Sequence, residues 1–127
     1  MSPTLTFTAP PPGLAPLHDF TLNPIDGAAG LFSLRAVAEP GRRLFVLDAA
    51  AHFPDYTPEL SDAQTAELSL ASAEEAQVLL IVNPSAAGTT VNLMAPIVVN
   101  TTTFRCSQVI LDGQDWPLRA PLGQTAA

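Results

Sequence analysis

The sequence contains no lysine, one cysteine, one tryptophan, one tyrosine and no long apolar run. Each shortage excludes something. A lone Cys106 forms no internal disulfide, which places the chain among proteins of a reducing compartment. The longest strongly apolar run, Val78 to Val82, is far too short to span a bilayer. The opening residues, MSPTLTFTAPPPG, lack the basic region and apolar core of a secretory signal, so a cytoplasmic location is expected. Five basic residues, all arginine, stand against 12 acidic ones, for a net charge of −7. That balance disfavours direct binding to nucleic acid or an anionic membrane and favours a basic partner or simple solubility.

What is present is apolar and proline-rich. At 127 residues with 47% hydrophobic and 13% charged content, the chain is expected to fold as one domain over residues 1–127. Thirteen prolines leave little room for long helices. Strands are predicted at Leu5–Thr8, Asp19–Leu22, Leu31–Ala36 and Leu44–Asp48, with IDGAAG and EPGRR as turns. Ala9 to Pro16, APPPGLAP, reads as a stiff extended loop. QVLLIVN, Gln77–Asn83, is apolar on both faces and reads as a central strand.

The stretch VNLMAPIVVN is predicted to be a further strand, with Val91, Leu93, Ala95, Ile97 and Val99 on one face. Its other face mixes Asn92, Met94, Pro96, Val98 and Asn100, and Pro96 marks an edge, a bulge or a break. Thr103–Leu111 reads as the return strand after an NTTT turn. One short helix is predicted in LSDAQTAEL, where Ser61 and Gln64 have capping-box spacing. Ser72 and Glu75 repeat that spacing with room for a turn or two only. The expected fold is therefore mainly β: a small antiparallel β-barrel-like domain with one short helix and a frayed tail at 123–127.

Catalytic chemistry is hard to find. His18 and His52 lie far apart with no metal-ligand spacing, so no metal and no cofactor are expected. Cys106 sits on an alternating strand and reads as a packing thiol. There is no GxSxG elbow, P-loop or GxGxxG. The cluster of His52 with Asp48, Asp55 and Glu59 reads as solvated or capping groups rather than an acid–base pair. The chain is read as a non-enzyme. A small ligand-binding barrel is the rival class, disfavoured by the scarcity of aromatic residues to line a cavity. His52-Phe53-Pro54-Asp55-Tyr56 instead sets two aromatics around a proline in a turn, either to plug a barrel end or to anchor a partner.

Three blocks carry a resemblance to a known family: FPDYTPELSD at Phe53–Asp62, VNLMAPIVVNT at Val91–Thr101, and QVILDGQDWPLRAPL at Gln108–Leu122. With the looser FTAPPPGLAPLHDF at Phe7–Phe20, they resemble the flagellar assembly factor FliW over nearly the whole chain. The resemblance implies a β-barrel-like cytoplasmic protein that works by binding flagellin and the RNA-binding translational repressor CsrA. Flagellin that accumulates occupies such a protein and frees CsrA to repress flagellin translation. Against the family pattern a β segment ahead of Leu5 is expected to be missing, which would leave a sheet edge open or covered by dimerisation. It also carries Thr102, Phe104 and Cys106 where the family has lysines and a glycine. These departures bear on the partner set, so an adaptor for flagellin alone or CsrA alone is the alternative.

The candidate partner surface comprises Phe53, Asp55 and Tyr56 with Asn92, Met94 and Asn100. Asp55 would offer a carboxylate, Phe53 and Tyr56 apolar area, and the asparagines hydrogen bonds. The same residues also read as fold-defining, with Asn92 and Asn100 satisfying buried backbone groups beside Pro96.

Overall fold

In a computed structural model, the chain is described at residues 4–8, 17–27, 30–39, 41–53, 56, 58, 60–71, 75–83, 88–111, 114, 116, 120 and 121. The strands are β1 (Thr4–Phe7), β2 (Asp19–Pro24), β3 (Leu31–Ala36), β4 (Arg43–Asp48), β5 (Ala76–Asn83), β6 (Thr90–Val91), β7 (Ile97–Asn100), β8 (Arg105–Gln108) and β9 (Ala120–Pro121). Two short helices, α1 (Ala49–His52) and α2 (Asp62–Glu67), lie between β4 and β5. The expected APPPGLAP loop, the Ser72 cap and the tail at 123–127 lie outside the described residues.

β1 to β4 form a meander whose last strand pairs with β5. β5 pairs with β7, β7 with β8, and β8 returns to β1, closing a seven-strand barrel. The closing pair is parallel, Thr6 opposite Arg105 and Phe7 opposite Cys106, in a sheet that is otherwise antiparallel. The first strand therefore has neighbours on both sides, and the open edge expected there is absent. β6 continues alongside the far end of β5, and β9 pairs with β6.

Alternation fills the barrel. Leu5, Phe7, Phe20, Leu22, Leu34, Val46, Leu79, Ile97, Val99 and Cys106 form one buried cluster, with the Phe7 and Phe20 rings edge-to-face at 5.3 Å. Each such side chain contributes about 1.5–3 kcal/mol by leaving water. β5 and β7 are covered outside as well. Leu80 packs with Leu47, Val91 and Leu93, while Val98 packs with Leu68, Val109 and Leu111. This double burial is why QVLLIVN and IVVN read as continuous apolar runs.

The predicted strand through Val91–Asn100 is interrupted. Asn92 Oδ1 accepts from the amides of Met94 (2.9 Å) and Ala95 (3.0 Å), a side-chain turn that replaces the ladder. Pro96 has no N–H to restore it, and pairing resumes at Ile97. Period-two spacing persists across the bend, but Val91 and Leu93 join the outer layer whereas Ile97 and Val99 enter the barrel.

The capping box at α2 is present: Ser61 accepts from the Gln64 amide, and Gln64 accepts from the Ser61 amide. α2 ends with Ser69 at φ 54°, the Ser69 amide donating to Ala66 and the Leu70 amide to Thr65. α1 corrects the expectation of one helix. Asp48 caps it by accepting from the Ala50 amide, and three alanines, the best helix formers, follow. Gly30 lies against α1 at φ 81°, where a Cβ would come within 2.8 Å of His52 Nε2.

Candidate functional site

α1 delivers the aromatic turn to the barrel wall. The Phe53 amide donates to Ala49, and the Tyr56 amide donates to Phe53 at 3.0 Å. Phe53 and Tyr56 are half-buried against the cluster of Leu47, Leu80, Val91 and Leu93. Tyr56 also packs on Trp116, ring centroids 4.7 Å apart and nearly perpendicular. Trp116 donates its indole N–H to Gln114 at 3.1 Å. The Tyr56 hydroxyl donates to the Leu93 carbonyl. Burial pushes this phenol above its ordinary range, so it stays a neutral donor at physiological pH.

Beside this aromatic step runs an open groove of about 430 Å³ along the outer face of β5. Phe53, Tyr56 and Pro58 form one wall, Ala76 and Val78 line the floor, and Asp48, Gln77 and Thr101 supply polar groups. A second hollow of about 470 Å³ shares Pro58, Ala76 and Val78 and extends toward Leu60, Thr65 and Leu70 of the α2 region. Together they make a channel with an apolar floor and a polar rim. Its chemistry suits a peptide or protein surface with an apolar ridge. Among the described residues no His, Cys, Asp or Glu group is placed to hold a metal ion. Cys106 is fully buried in the barrel, and burial pushes its thiol up to about 12.

The five described candidate residues separate in space. Phe53 and Tyr56 line the groove, and Asp55 lies outside the described residues. Asn92 and Met94 belong to the bend that Tyr56 holds through Leu93, with Asn92 turned onto its own backbone and Met94 half-buried near Val98 and Leu111. Asn100 is 1% exposed. Its Nδ2 donates to the Leu68 carbonyl at 2.8 Å, and its Oδ1 accepts from the amides of Thr102 and Thr103. Every polar atom of that side chain thus has a partner within the fold. Sequence reasoning passed over Ala76, Gln77, Val78, Pro58 and Thr101. Their one signal is Gln77, a polar residue opening an apolar strand.

The FliW protein family model matches residues 2–122. A flagellar assembly factor FliW of Exiguobacterium sp. is 36% identical over 126 residues, covering 98% of this chain and 86% of that protein. One from Desulfitobacterium hafniense is 34% identical over 113 residues, covering 87% and 74%. A crystal structure of the flagellar assembly factor FliW superposes with a TM-score of 0.85 at 23% identity, over 93% of this chain and 84% of the other, which shows the shared fold. By sequence, and with the same barrel, the chain belongs to the FliW family of flagellar assembly factors.

Proposed function

We propose that the chain acts in the cytoplasm as a binding protein that takes up flagellin and antagonises the translational repressor CsrA, linking flagellin level to flagellin translation. The observation that carries this reading is the groove at the FPDY turn. It is a preformed channel with an apolar floor and a polar rim, on the family block that the sequence marks out. Phe53 and Tyr56 supply rigid apolar area at low entropic cost, while Asp48, Gln77 and Thr101 rim the channel. Asp55, Asn92 and Met94 complete the proposed surface. The net charge of −7 favours approach to a basic, RNA-binding surface and repels competing phosphate. Among the described residues no helix is long and apolar enough to cross a membrane.

The test is a titration of the purified chain against flagellin and CsrA of its own host, separately and together, with Ala50→Arg as the blocking variant. Ala50 is exposed and lines the groove, so an arginine there fills the channel without entering the core. The expected result is at least tenfold weaker binding of one partner with an unchanged circular dichroism spectrum. Unchanged affinity for both partners places the binding surface elsewhere. CsrA binding that does not weaken with salt removes the electrostatic account.

A further inference from the structure

Two arginines share a face of the sheet away from the groove. In β3 and β4, Arg35 and Arg43 are both exposed and stand directly opposite each other. The next pair along, Ala36 and Arg42, is joined by the Ala36 amide donating to the Arg42 carbonyl at 2.9 Å. Arg35 and Arg43 therefore occupy a non-hydrogen-bonded position, where opposing side chains come closest, about 4.5 Å between Cα atoms. Like charges so placed destabilise a sheet. Among the described residues no carboxylate stands directly opposite either arginine in the strand register. Strand register continues the row as Arg43, Arg35, Thr21 and Thr4, and sets Thr6 and Arg105 in the neighbouring row. The one carboxylate on these rows, Asp19, accepts from the Thr6 hydroxyl at 2.9 Å.

A second feature gives the pair shape. The Arg43 guanidinium lies 5.2 Å from the centroid of the Phe45 ring, two residues along on the same face. Stacking on an aromatic ring restrains an arginine while leaving the edge of its planar fork free to bind a carboxylate bidentately. A sheet that opposes two cations and fixes one of them on a ring, inside a chain of charge −7, is arranged for a local anion.

We propose that Arg35, Arg43 and Phe45 form a second docking surface, which takes a short acidic segment of a partner protein. A carboxylate of the segment sits between the two guanidinium groups, and a neighbouring apolar side chain lies against Phe45. Nucleic acid is the poorer fit. A long polyanion meets the repulsion of the whole chain and finds few cations from which to release counterions, whereas a short acidic segment feels charges within about 10 Å. The surface is distinct from the groove: Arg43 and Asp48 are at opposite ends of β4, about 17 Å apart along the strand.

The probe is a fluorescein-labelled hexapeptide of alternating glutamate and leucine, titrated by anisotropy against the full chain at low salt. Controls are the same peptide with glutamine for glutamate and a ten-nucleotide single-stranded RNA. The glutamate peptide is expected to bind at least tenfold more tightly than either control. Arg35→Gln and Arg43→Gln should each weaken it fivefold or more, and Arg43→Lys should weaken it despite keeping the charge. Arg35→Gln should keep or raise the melting temperature, because it removes one of the opposed charges while leaving Arg43 stacked on Phe45, and a merely structural pair would not divide stability from binding in this way. Four outcomes overturn the proposal: equal binding of the glutamine peptide, indifference to both arginine variants, tighter binding of the RNA, or wild-type self-association that Arg35→Gln abolishes. None of these readouts involves flagellin or CsrA, so failure here leaves the groove reading untouched.

Discussion

The hydroxyl of Tyr56 donates to the backbone carbonyl of Leu93, joining the segment after α1 to the bend between β6 and β7. One side chain thus connects the groove wall to the stretch where the ladder is broken. Its ring packs both with the Leu80 and Val91 cluster and with the Val98 and Leu111 cluster. Tyr56→Phe keeps the ring and removes only the bond, so a loss of about 1–2 kcal/mol is expected by chemical denaturation. Tyr56→Ala should cost about 3–5 kcal/mol. A Tyr56→Phe variant as stable as the parent would mean that Leu93 finds another donor.

Asn100 is the one buried polar residue among the described residues. Asn100→Ala leaves the Leu68 carbonyl and the Thr102 and Thr103 amides without this partner. The expected penalty is about 2–4 kcal/mol, since each buried group left unpaired costs about 1–3 kcal/mol and some are rescued by water. Amide hydrogen exchange should accelerate first at Thr102 and Thr103. Uniform acceleration across the barrel would contradict this local role.

Ser69 closes α2 in a left-handed conformation, φ 54°, and its hydroxyl takes no part in the two amide bonds that terminate the helix. Glycine meets no Cβ penalty there. Ser69→Gly is expected to stabilise the protein by about 0.5–1 kcal/mol, raising its melting temperature by a few degrees. A lower melting temperature would show that the serine side chain contributes more than its backbone conformation costs.

The Cys106 thiol sets an alkaline limit. Its ordinary value is 9.0, and burial raises it to about 12 in the folded chain. The unfolded thiol ionises first, so the stabilisation is full below pH 9 and is lost as pH climbs toward 12. Tyr56 is raised in the same sense above 10.0 and adds to the fall. The melting temperature should be flat from pH 7 to 8.5 and drop beyond pH 9.5. Cys106→Ala should flatten part of that slope. An identical slope in the variant would assign the whole effect to other groups.

Much of this barrel was legible because its rules are local. Alternation in LTF, DFTL and LFSLRA located β1 to β3, and Ser61 with Gln64 fixed the start of α2. Asp48-Ala49-Ala50-Ala51 also carried a helix signal, a capping residue before strong helix formers, but four residues give hydrophobic periodicity nothing to repeat. The break at Asn92 was hidden for a different reason. An asparagine turn leaves the sequence spacing of apolar residues intact while redirecting them between two layers. The aromatic wall of the groove was visible at Phe53 and Tyr56. Its floor was not, because the outer face of Ala76 and Val78 is defined only once α1 and α2 lie beside β5.

The parallel pairing of Thr6 with Arg105 bears on how the chain comes to be folded. A meander such as β1 to β4 assembles from neighbours in sequence, but the ring closes only when strands about one hundred residues apart meet, a high-contact-order step that slows folding. During synthesis β1 emerges early and waits with an unsatisfied edge until Cys106 has left the ribosome. Closure is then a late event, and pulse-labelled hydrogen exchange should show the Thr6 and Thr8 amides, which donate to Phe104 and Cys106, gaining protection together with β8, after β2–β4.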